Sequence, residues 1–216
     1  MEKEGLPIGV VKSIAAPSTL RLQLTGVGGH AGAMLMPERH DALLAGAEVA
    51  LAVEQAAKTS GSYDTVGTTG VFRIEPGAVN SVPCRAWLEI DLRDTQVSTR
   101  DAALRRIEAE TAAICGRRGV KFSLQRLNVD APAICAPELV RAISEVCGEL
   151  GLRAKEMISR AYHDSLFMAQ LSPTVMLFIP CRGGVSHRPD EYSSPKQIED
   201  GVRVLASTLA RLAGGV

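Results

Sequence analysis

The histidines of this chain are the side chains best suited to metal binding or proton transfer. His30 lies in the glycine-rich stretch GVGGHAG, His163 lies in RAYHDS at the predicted start of a helix, and His187 lies in GGVSHRPDEY. Imidazole is the commonest metal ligand in proteins and exchanges a proton near neutral pH. The sequence contains no short-range metal motif such as HExxH. Each histidine taken alone is therefore also open to a structural interpretation as a turn or cap residue.

The spacing of His163 and His187 predicts that both imidazoles approach one edge of a sheet. They bracket the apolar run TVMLFIP, and α/β folds bind ligands in the loops outside the carboxyl ends of their strands. Asp164 lies next to His163, and Glu191 lies four residues after His187; both are predicted to orient the imidazoles, unless they are only surface charges. Gly184, in the glycine pair before His187, lets the backbone approach a ligand and is a candidate substrate contact.

Asn80, Arg93 and His40 are further polar candidates outside these loops. Arg93 falls on the polar face of a predicted strand, where a guanidinium can bind a carboxylate through two parallel hydrogen bonds. Arginine and asparagine side chains at such positions are more often simply solvated. His40 is predicted to lie in a helical turn that faces solvent.

Balanced charge and the lack of long apolar runs narrow the class of protein. The 24 Lys and Arg residues equal the 24 Asp and Glu residues, which argues against a nucleic-acid partner. No apolar run reaches the ~18–20 residues of a membrane span, and MEKEGLPIGVV lacks the apolar core of a signal peptide. The five cysteines form no CxxC motif and are expected to be reduced core thiols. These features predict a cytoplasmic protein with neither nucleic acid nor membrane as a partner.

Residues 16–129 predict a ferredoxin-like domain with the element order β-α-β-β-α-β. Strands are predicted over STLRLQLTGV, DTVGTTGVFRIEP, RAWLEIDLR and VKFSLQRLNV. Two helices are predicted between them, one beginning near Asp41 and one running from a Ser or Thr cap to Gly116. Both helices are expected on one face of an antiparallel sheet, so that the other face is polar and carries Arg93.

Residues 1–15 together with 130–216 predict part of an α/β domain. The run TVMLFIP predicts a strand buried on both faces of a largely parallel sheet, and IGVVKSI offers one further strand. Helices are predicted over PELVRAISEVCGELG, HDSLFMAQL and the closing segment PKQIEDGVRVLASTLARLAGG. The closing helix is expected to bury a stripe of five apolar side chains, Ile198, Val202, Leu205, Leu209 and Leu212.

Motifs along the whole chain resemble the amidase, hydantoinase and carbamoylase branch of the aminoacylase- and carboxypeptidase-like metallohydrolases. They lie in GHAGAMLMPERHDAL, in TVGTTGVFRIEPGAVNSVPCRAWLEIDLRD and in RAYHDSLFMAQLSPTVMLFIPCRGGVSHRPDEYSS. N-carbamoyl-L-amino-acid hydrolase, allantoate amidohydrolase and β-ureidopropionase are members of this branch. The resemblance implies a catalytic α/β domain with an inserted ferredoxin-like lid that also dimerises.

The resemblance also implies a role for each candidate residue. His187 would be the last ligand of a centre of two divalent metal ions, zinc or manganese, and the one recognised ligand in this chain. His163, Asn80 and Arg93 would hold a small substrate, with Arg93 on its carboxylate. His30 would reach into the second subunit of a homodimer and support the oxyanion while metal-activated water attacks a ureido or amide carbonyl. The implied substrates are N-carbamoyl amino acids, allantoate or ureidopropionate.

The sequence departs from the pattern of this family in three places. The other metal ligands and the acidic general base of the family precede the segment EKEGLPIGVV, which begins here at residue 2. The chain is therefore expected to be a C-terminal half. Tyr162 stands where a glycine is usual and would narrow the pocket beside His163. Ala33, Met34 and Leu35 stand where Thr, Thr and Pro are usual.

Three functions are open for such a chain. The first is a C–N hydrolase completed by a separately encoded N-terminal half. The second is an inactive fragment that dimerises through the lid. The third is a ferredoxin-like small-molecule-binding regulator without a metal. The motifs around His163 and His187 argue against the regulator, because a regulator needs neither histidine. An isolated half is also expected to self-associate through unpaired strand edges and an exposed apolar face.

Overall fold

The structure is a computed structural model that describes residues 1–214. The chain divides into two compact units. Residues 16–132 are called the inserted unit below, and residues 1–15 together with 133–214 are called the terminal unit. In chain order the elements are β1 (Ile8–Ile14), β2 (Ala16–Thr25), β3 (Gly29–His30), α1 (Ala42–Lys58), β4 (Val66–Glu75), β5 (Ser81–Val82), β6 (Arg85–Asp94), α2 (Val97–Arg118), β7 (Lys121–Val129), β8 (Ala133–Ile134), α3 (Pro137–Glu149), β9 (Ala154–Ser159), α4 (Ser165–Met168), β10 (Met176–Phe178) and α5 (Pro195–Leu212).

The four long strands of the inserted unit form an antiparallel sheet in the order β4-β6-β2-β7. Together with α1 and α2 this is the ferredoxin-like arrangement, and the predicted fold class is confirmed. On the central strands, Leu20 lies opposite Ile90 and Leu22 lies opposite Leu88, and all four side chains are buried. A shift of one residue would turn these side chains to the polar face, so the alternation sets the register.

The two helices of the inserted unit cover the apolar face of its sheet. Val49 and Val53 of α1 and Leu104 and Ile107 of α2 are buried in one core with the strand leucines. Helix α1 begins where the sequence predicts, because the Asp41 carboxylate accepts two backbone N–H groups of the first turn. Such a cap satisfies amides that have no partner inside the helix.

Helix α2 differs from the prediction at both ends. It follows Gln96 rather than a Ser or Thr cap, and the backbone N–H of Gln96 donates to the Asp94 carboxylate at 2.8 Å. It ends at Arg118, with Gly119 (φ 62°) as its C-cap, and not at Gly116. A Cβ at Gly119 would lie 2.3 Å from the His40 Nδ1 atom, so both the left-handed backbone and the close contact require glycine there.

Strand β1 is the centre of the sheet in the terminal unit. It pairs in parallel with β9, and it pairs antiparallel with β10 and with β8. The segment IGVVKSI therefore supplies the further strand that its composition offers. Strands β8 and β9 were not predicted: β8 has only two residues, and Lys155 and Glu156 interrupt the apolar pattern of β9.

The prediction that TVMLFIP is a strand buried on both faces of a parallel sheet was wrong. Strand β10 covers only Met176–Phe178, and its side chains are half-buried. It lies at the end of the strand order and runs antiparallel to β1. An apolar run indicates a preference for burial, but it carries no information on the direction of the neighbouring strand.

Helix α5 packs by a face other than the predicted one. Gly201 lies against Ile179, where an added Cβ would come within 2.6 Å of the Ile179 Cγ2 atom, and Val204 and Thr208 are buried. These small side chains allow the helix to lie close to the sheet. The five side chains predicted to be buried are instead 49–58% exposed: Ile198, Val202, Leu205, Leu209 and Leu212.

Three of the cysteines lie in the interior, as their scattered spacing predicts. Cys115, Cys135 and Cys147 are buried and unpaired, and burial raises the pKa of each thiol. A thiol with a raised pKa is a poor nucleophile. Among residues 1–214, no helix has both the length and the apolar character needed to cross a membrane.

Candidate functional site

The loop that carries His187 has an unusual backbone conformation. Gly183 and Gly184 have φ of 67° and 66°, and His187 itself has φ 58°. A non-glycine residue is uncommon in this left-handed region, and residues held there cluster at functional sites. The backbone N–H of His187 donates to the Glu191 carboxylate at 3.0 Å, which helps to hold the conformation. Glu191 therefore positions the backbone of the loop, whereas the sequence predicted a contact with the imidazole.

Several contacts fix this loop to the rest of the terminal unit. The backbone N–H of Arg182 donates to the Tyr192 carbonyl at 2.8 Å, and the Arg182 guanidinium lies 4.9 Å from the centre of the Tyr192 ring. The backbone N–H of Gly183 donates to the Glu2 carboxylate at 2.6 Å. The Ser193 hydroxyl donates to the Pro180 carbonyl at 2.7 Å. The His187 side chain is exposed at the end of this anchored loop.

His163 lies between β9 and α4 with part of its imidazole buried. Its ring centre is 5.7 Å from that of Phe178, and its backbone carbonyl accepts the N–H of Leu166 at 2.9 Å. The Nε2 atom is buried and has no hydrogen-bond partner among the described residues. A buried polar atom without a partner costs on the order of 1–3 kcal/mol. A hydrogen bond from a bound ligand would give the His163 Nε2 atom the partner that it lacks.

Strand direction does not bring His163 and His187 to the same edge of the sheet. Because β9 runs parallel to β1 and β10 runs antiparallel to it, the loops after β9 and β10 leave the sheet at opposite ends. The predicted convergence assumed parallel strands, so strand direction no longer supports it. The His163 ring nevertheless lies 5.7 Å from that of Phe178, the last residue of the strand that leads to His187, and the convergence stays a prediction. Within residues 1–214, no group of three or more His, Cys, Asp or Glu side chains could hold a metal ion. The described residues therefore do not fit a complete metal centre.

A short ribbon of β3 and β5 brings His30 and Asn80 together in the inserted unit. His30 lies opposite Ser81, and the backbone N–H of Ala31 donates to the Asn80 carbonyl at 2.8 Å. The His30 Nδ1 atom accepts the N–H of Gly32 at 3.1 Å. In a neutral imidazole that accepts at Nδ1, the proton is on Nε2. The exposed His30 ring therefore offers a hydrogen-bond donor.

Arg39 holds the loop after His30, and the sequence analysis missed it. Its Nε atom donates to the Met34 carbonyl at 3.1 Å, and its Nη2 atom donates to the Ala31 carbonyl. Arg39 stands three residues after Met36 in a stretch with no periodic pattern, so nothing in the sequence marks this role. The contacts make the ribbon and its following loop one ordered feature.

Arg93 lies at the other end of the inserted sheet from His30 and Asn80. Its guanidinium binds the Asp91 carboxylate with Nε and Nη2, at 2.6 Å and 2.9 Å, and this hydrogen-bonded partner raises the Arg93 pKa. The β3–β5 ribbon joins the sheet near Arg85, because the N–H of Gly26 donates to the Cys84 carbonyl. Arg93 is eight residues after Arg85 on β6, so the distance between the two positions along the strand is roughly 26 Å. Within one chain, a small substrate cannot contact both ends.

His40 has a structural contact rather than the solvated position predicted for it. Its Nδ1 atom lies 2.9 Å from the Arg118 carbonyl at the end of α2, and its side chain is half-buried. The ring therefore ties the start of α1 to the end of α2. This arrangement leaves His40 outside the candidate site.

A cavity of about 390 Å³ in the terminal unit contains none of the predicted site residues. Its charged groups are already engaged: Arg153 donates to the Gly5 carbonyl at 2.8 Å, and Asp200 binds Lys196 at 2.8 Å. We therefore assign it no role in the chemistry.

Comparisons with known proteins identify relatives over nearly the whole chain. The sequence profile of Peptidase family M20/M25/M40 matches residues 4–211. A ureidoglycolate hydrolase from Arabidopsis thaliana is 50% identical over 99% of this chain and 45% of its own length. An N-carbamoyl-L-amino acid amidohydrolase from Geobacillus stearothermophilus is 34% identical over 100% of this chain and 52% of its own. A crystal structure of AtUAH in complex with glyoxylate has a TM-score of 0.91 and 50% identity, covering 98% of this chain and 50% of that chain. The chain spans about half the length of the curated relatives it matches.

Proposed function

Because this chain belongs to Peptidase family M20/M25/M40, we propose that it is part of an amidohydrolase that cleaves linear amide or ureido C–N bonds. Relatives named as hydrolases and amidohydrolases support this reaction class. The observation that carries the proposal is the buried, unpartnered Nε2 atom of His163. A hydrogen-bonding substrate in contact with that atom would remove the cost of leaving it without a partner.

The proposed substrate is a small ureido compound with a carboxylate, and ureidoglycolate is the first choice. The relative named ureidoglycolate hydrolase is 50% identical to this chain, against 34% for the N-carbamoyl-L-amino acid amidohydrolase. Tyr162 also favours a small substrate beside His163, because its ring is held edge-on against Phe167 at 5.6 Å between ring centres. N-carbamoyl amino acids, allantoate and ureidopropionate are the alternatives to test.

In the proposed reaction the β3–β5 ribbon stabilises the oxyanion. His30 offers its Nε2–H group, since Nδ1 is occupied by the N–H of Gly32. A donor at the carbonyl oxygen stabilises the negative charge that develops as water attacks the carbonyl carbon. Asn80, held beside His30 by the ribbon, adds an amide that binds the substrate. Arg93 binds the substrate carboxylate and sets its register.

The separation of Arg93 from the ribbon supports a homodimeric site. At roughly 26 Å along β6, Arg93 and the His30–Asn80 pair of one chain cannot share one small substrate. Two copies of the chain would therefore contribute different residues to each site. Co-expression of His30→Ala with Arg93→Ala chains, each supplied with the part of the Arabidopsis relative that this chain does not match, should restore activity that each variant lacks in the same combination, because mixed dimers regain one intact site. If the mixture stays as inactive as the single variants, the shared site is ruled out.

The family use of a divalent metal enters the proposal through His187 alone. We assign His187 as one ligand and expect the remaining ligands, and the general base, from polypeptide outside the described residues. Zinc or manganese bound there would lower the pKa of a water molecule. The residues described here bind and orient the substrate and supply the oxyanion donor.

A second candidate is an inactive chain that dimerises but does not turn over substrate. The lack of a group of three metal-binding side chains within residues 1–214 favours it. Membership of a hydrolase family argues against the third candidate, a metal-free ferredoxin-like regulator.

The test is ammonia release from ureidoglycolate and the alternative substrates, with zinc or manganese in excess. The chain is assayed alone and together with the part of the Arabidopsis relative that it does not match, called the complementary fragment below. We expect activity only in the combination. Activity of the chain alone would show that its own residues complete the metal site. No activity in a folded combination, for any of these substrates, would favour the inactive candidate.

A further inference from the structure

The loop that carries His163 is short and is fixed at both ends. Residues 160–164 connect Ser159, the last residue of β9, to the first residue of α4. At the start of the loop, the Ser159 backbone carbonyl accepts the N–H of Ala15 at 2.8 Å. Near its end, the His163 carbonyl accepts the N–H of Leu166 at 2.9 Å. The conformation of the residues between these two points therefore decides where the His163 ring lies.

The Ser159 side chain holds the middle of this loop. It is only 2% exposed, and its hydroxyl donates to the Ala161 carbonyl at 3.0 Å. A serine hydroxyl that bonds the nearby backbone stabilises a turn in place of regular structure. Because Ser159 also pairs with Ile14 of β1, this hydrogen bond fastens the loop to the sheet.

The position of the His163 ring depends on the segment that Ser159 holds. Tyr162 is the one residue between Ala161 and His163. The His163 ring centre lies 5.7 Å from that of Phe178, and its Nε2 atom is buried. A hydrogen bond to a substrate is directional, and a misplacement of about 1 Å can lower a rate by about a hundredfold. Movement of the loop would therefore weaken any contact that Nε2 makes with a substrate.

We propose that Ser159 is a positioning residue for His163: its hydroxyl holds Ala161 and so directs the His163 Nε2 atom towards the substrate. This inference rests on the proposed function, in which that nitrogen binds the substrate. The Ser159 side chain is buried and donates its proton to Ala161, so it does not itself reach the substrate. Its effect on the reaction is exerted through His163.

A purely structural role for the hydroxyl is the alternative, and Ser144 provides the comparison. The Ser144 hydroxyl donates to the Val140 carbonyl at 2.9 Å within α3 of the same unit. That bond is of the same type, but it lies inside a helix that contains none of the candidate site residues. Ser144→Ala is therefore the matched control for Ser159→Ala, and the two variants should lower the urea midpoint to a similar extent.

Nuclear magnetic resonance of the chain, isotope-labelled at the Cε1 atom of histidine, tests the positioning without any reaction. The His163 signal is assigned by its absence from His163→Ala. In Ser159→Ala this signal should shift or broaden, because the ring moves relative to Phe178, while the His30 signal stays unchanged. Ser144→Ala, and Ser159→Thr which keeps the hydroxyl, should retain the natural His163 signal. An unchanged His163 signal in folded Ser159→Ala would overturn the inference.

The value of kcat/KM for ureidoglycolate, measured in the folded combination with the complementary fragment, tests the consequence for the reaction. Ser159→Ala should lower kcat/KM about tenfold, and Ser159→Thr should stay within about threefold of the natural combination. Ser144→Ala should stay within about twofold. Equal kcat/KM for Ser159→Ala and Ser144→Ala would show that the hydroxyl is only structural.

A double-mutant cycle shows whether Ser159 acts through His163. In the His163→Ala background, Ser159→Ala should change kcat/KM by less than about twofold, because no imidazole is left to position. A further loss of about tenfold in that background would overturn the inference. If Ser159→Ala does not fold, Ser159→Val replaces it and is compared with Ser159→Thr, since valine and threonine share a shape and differ in the hydroxyl.

The positioning role and the proposed function fail separately in these experiments. Normal activity of His163→Ala would refute the proposed function at His163, even where the resonance shift shows that Ser159 orients the ring. An inactive His163→Ala together with an unchanged His163 signal in Ser159→Ala would refute the positioning role and leave the proposed function intact.

Discussion

Replacing Arg39 with alanine should release the loop that follows His30. The natural guanidinium donates to the carbonyls of Met34 and Ala31. Hydrogen bonds to charged groups contribute about 1.5–3 kcal/mol each, and because Arg39 is only half-buried the lower figure applies. The two bonds together then stabilise the loop by about 3 kcal/mol. Since about 1.4 kcal/mol is tenfold in an equilibrium constant, local opening should become about a hundredfold more favourable.

Amide hydrogen exchange measures this opening directly. The reporting amides are those of Ala31, which donates to the Asn80 carbonyl, and of Ala33 and Met34, which donate to the His30 carbonyl. In Arg39→Ala they should exchange up to about a hundredfold faster. Arg39→Lys keeps the charge without the planar fork and should give an intermediate rate.

Arg105→Ala, at an exposed position on α2, is the control and should leave these amides unchanged. Unaltered exchange at residues 31–34 in Arg39→Ala would refute the claim that Arg39 holds the loop after His30. Equally faster exchange in the central strand β6 would show that the variant loosens the whole inserted unit instead of the loop.

The remaining predictions concern stability. His163→Leu removes a buried nitrogen without a partner among the described residues and should stabilise the terminal unit by about 1–3 kcal/mol; a lower urea midpoint would contradict this. Asp41→Ala removes the cap of α1 and should cost about 1 kcal/mol, seen as a lower midpoint that Asp41→Asn largely restores. The hydrogen bond from Arg118 lowers the pKa of Glu48 below its ordinary value of 4.5. The ionised carboxylate therefore stabilises the fold at pH values above 4.5, and this stabilisation is lost as the pH falls through the folded pKa of Glu48. Glu48→Gln should therefore be less stable than the natural chain at neutral pH, and the difference should shrink as the pH falls through the folded pKa of Glu48; a difference that stays constant as the pH falls would disprove the linkage.

The inserted unit could be predicted from sequence because its partners lie within it. The alternation through Leu88 and Ile90 specifies one buried face, and two helices in the same segment cover that face. The errors there are at helix ends, as with Gly116 and Gly119. End residues depend on single contacts, here the fit of Gly119 against His40, which a local pattern does not contain.

The terminal unit was predicted less well because its packing depends on tertiary context. The periodicity of α5 identifies an apolar face correctly, yet Gly201 and Val204 pack on the sheet and Leu205 does not. Likewise, the direction of β10 is set by its pairing with β1 and not by its own residues.

For the candidate site too, the sequence predicted the residue types but not the tertiary contacts. Residue types alone identified the imidazoles, Asn80 and Arg93 as candidates, and their roles stay proposals. The contacts that position them came only from the structure: the Asp91 partner of Arg93, the Glu191 contact with the backbone of His187, and the unpartnered nitrogen of His163. These depend on geometry that spacing along the chain does not reveal.

The most direct test of the account is the value of kcat/KM for ureidoglycolate with and without His163, measured in the folded combination of this chain with the complementary fragment. If the buried Nε2 atom binds the substrate, His163→Ala should lower kcat/KM by about a hundredfold or more while the complex still forms. A value within about threefold of the natural combination would contradict the claim that His163 belongs to the site.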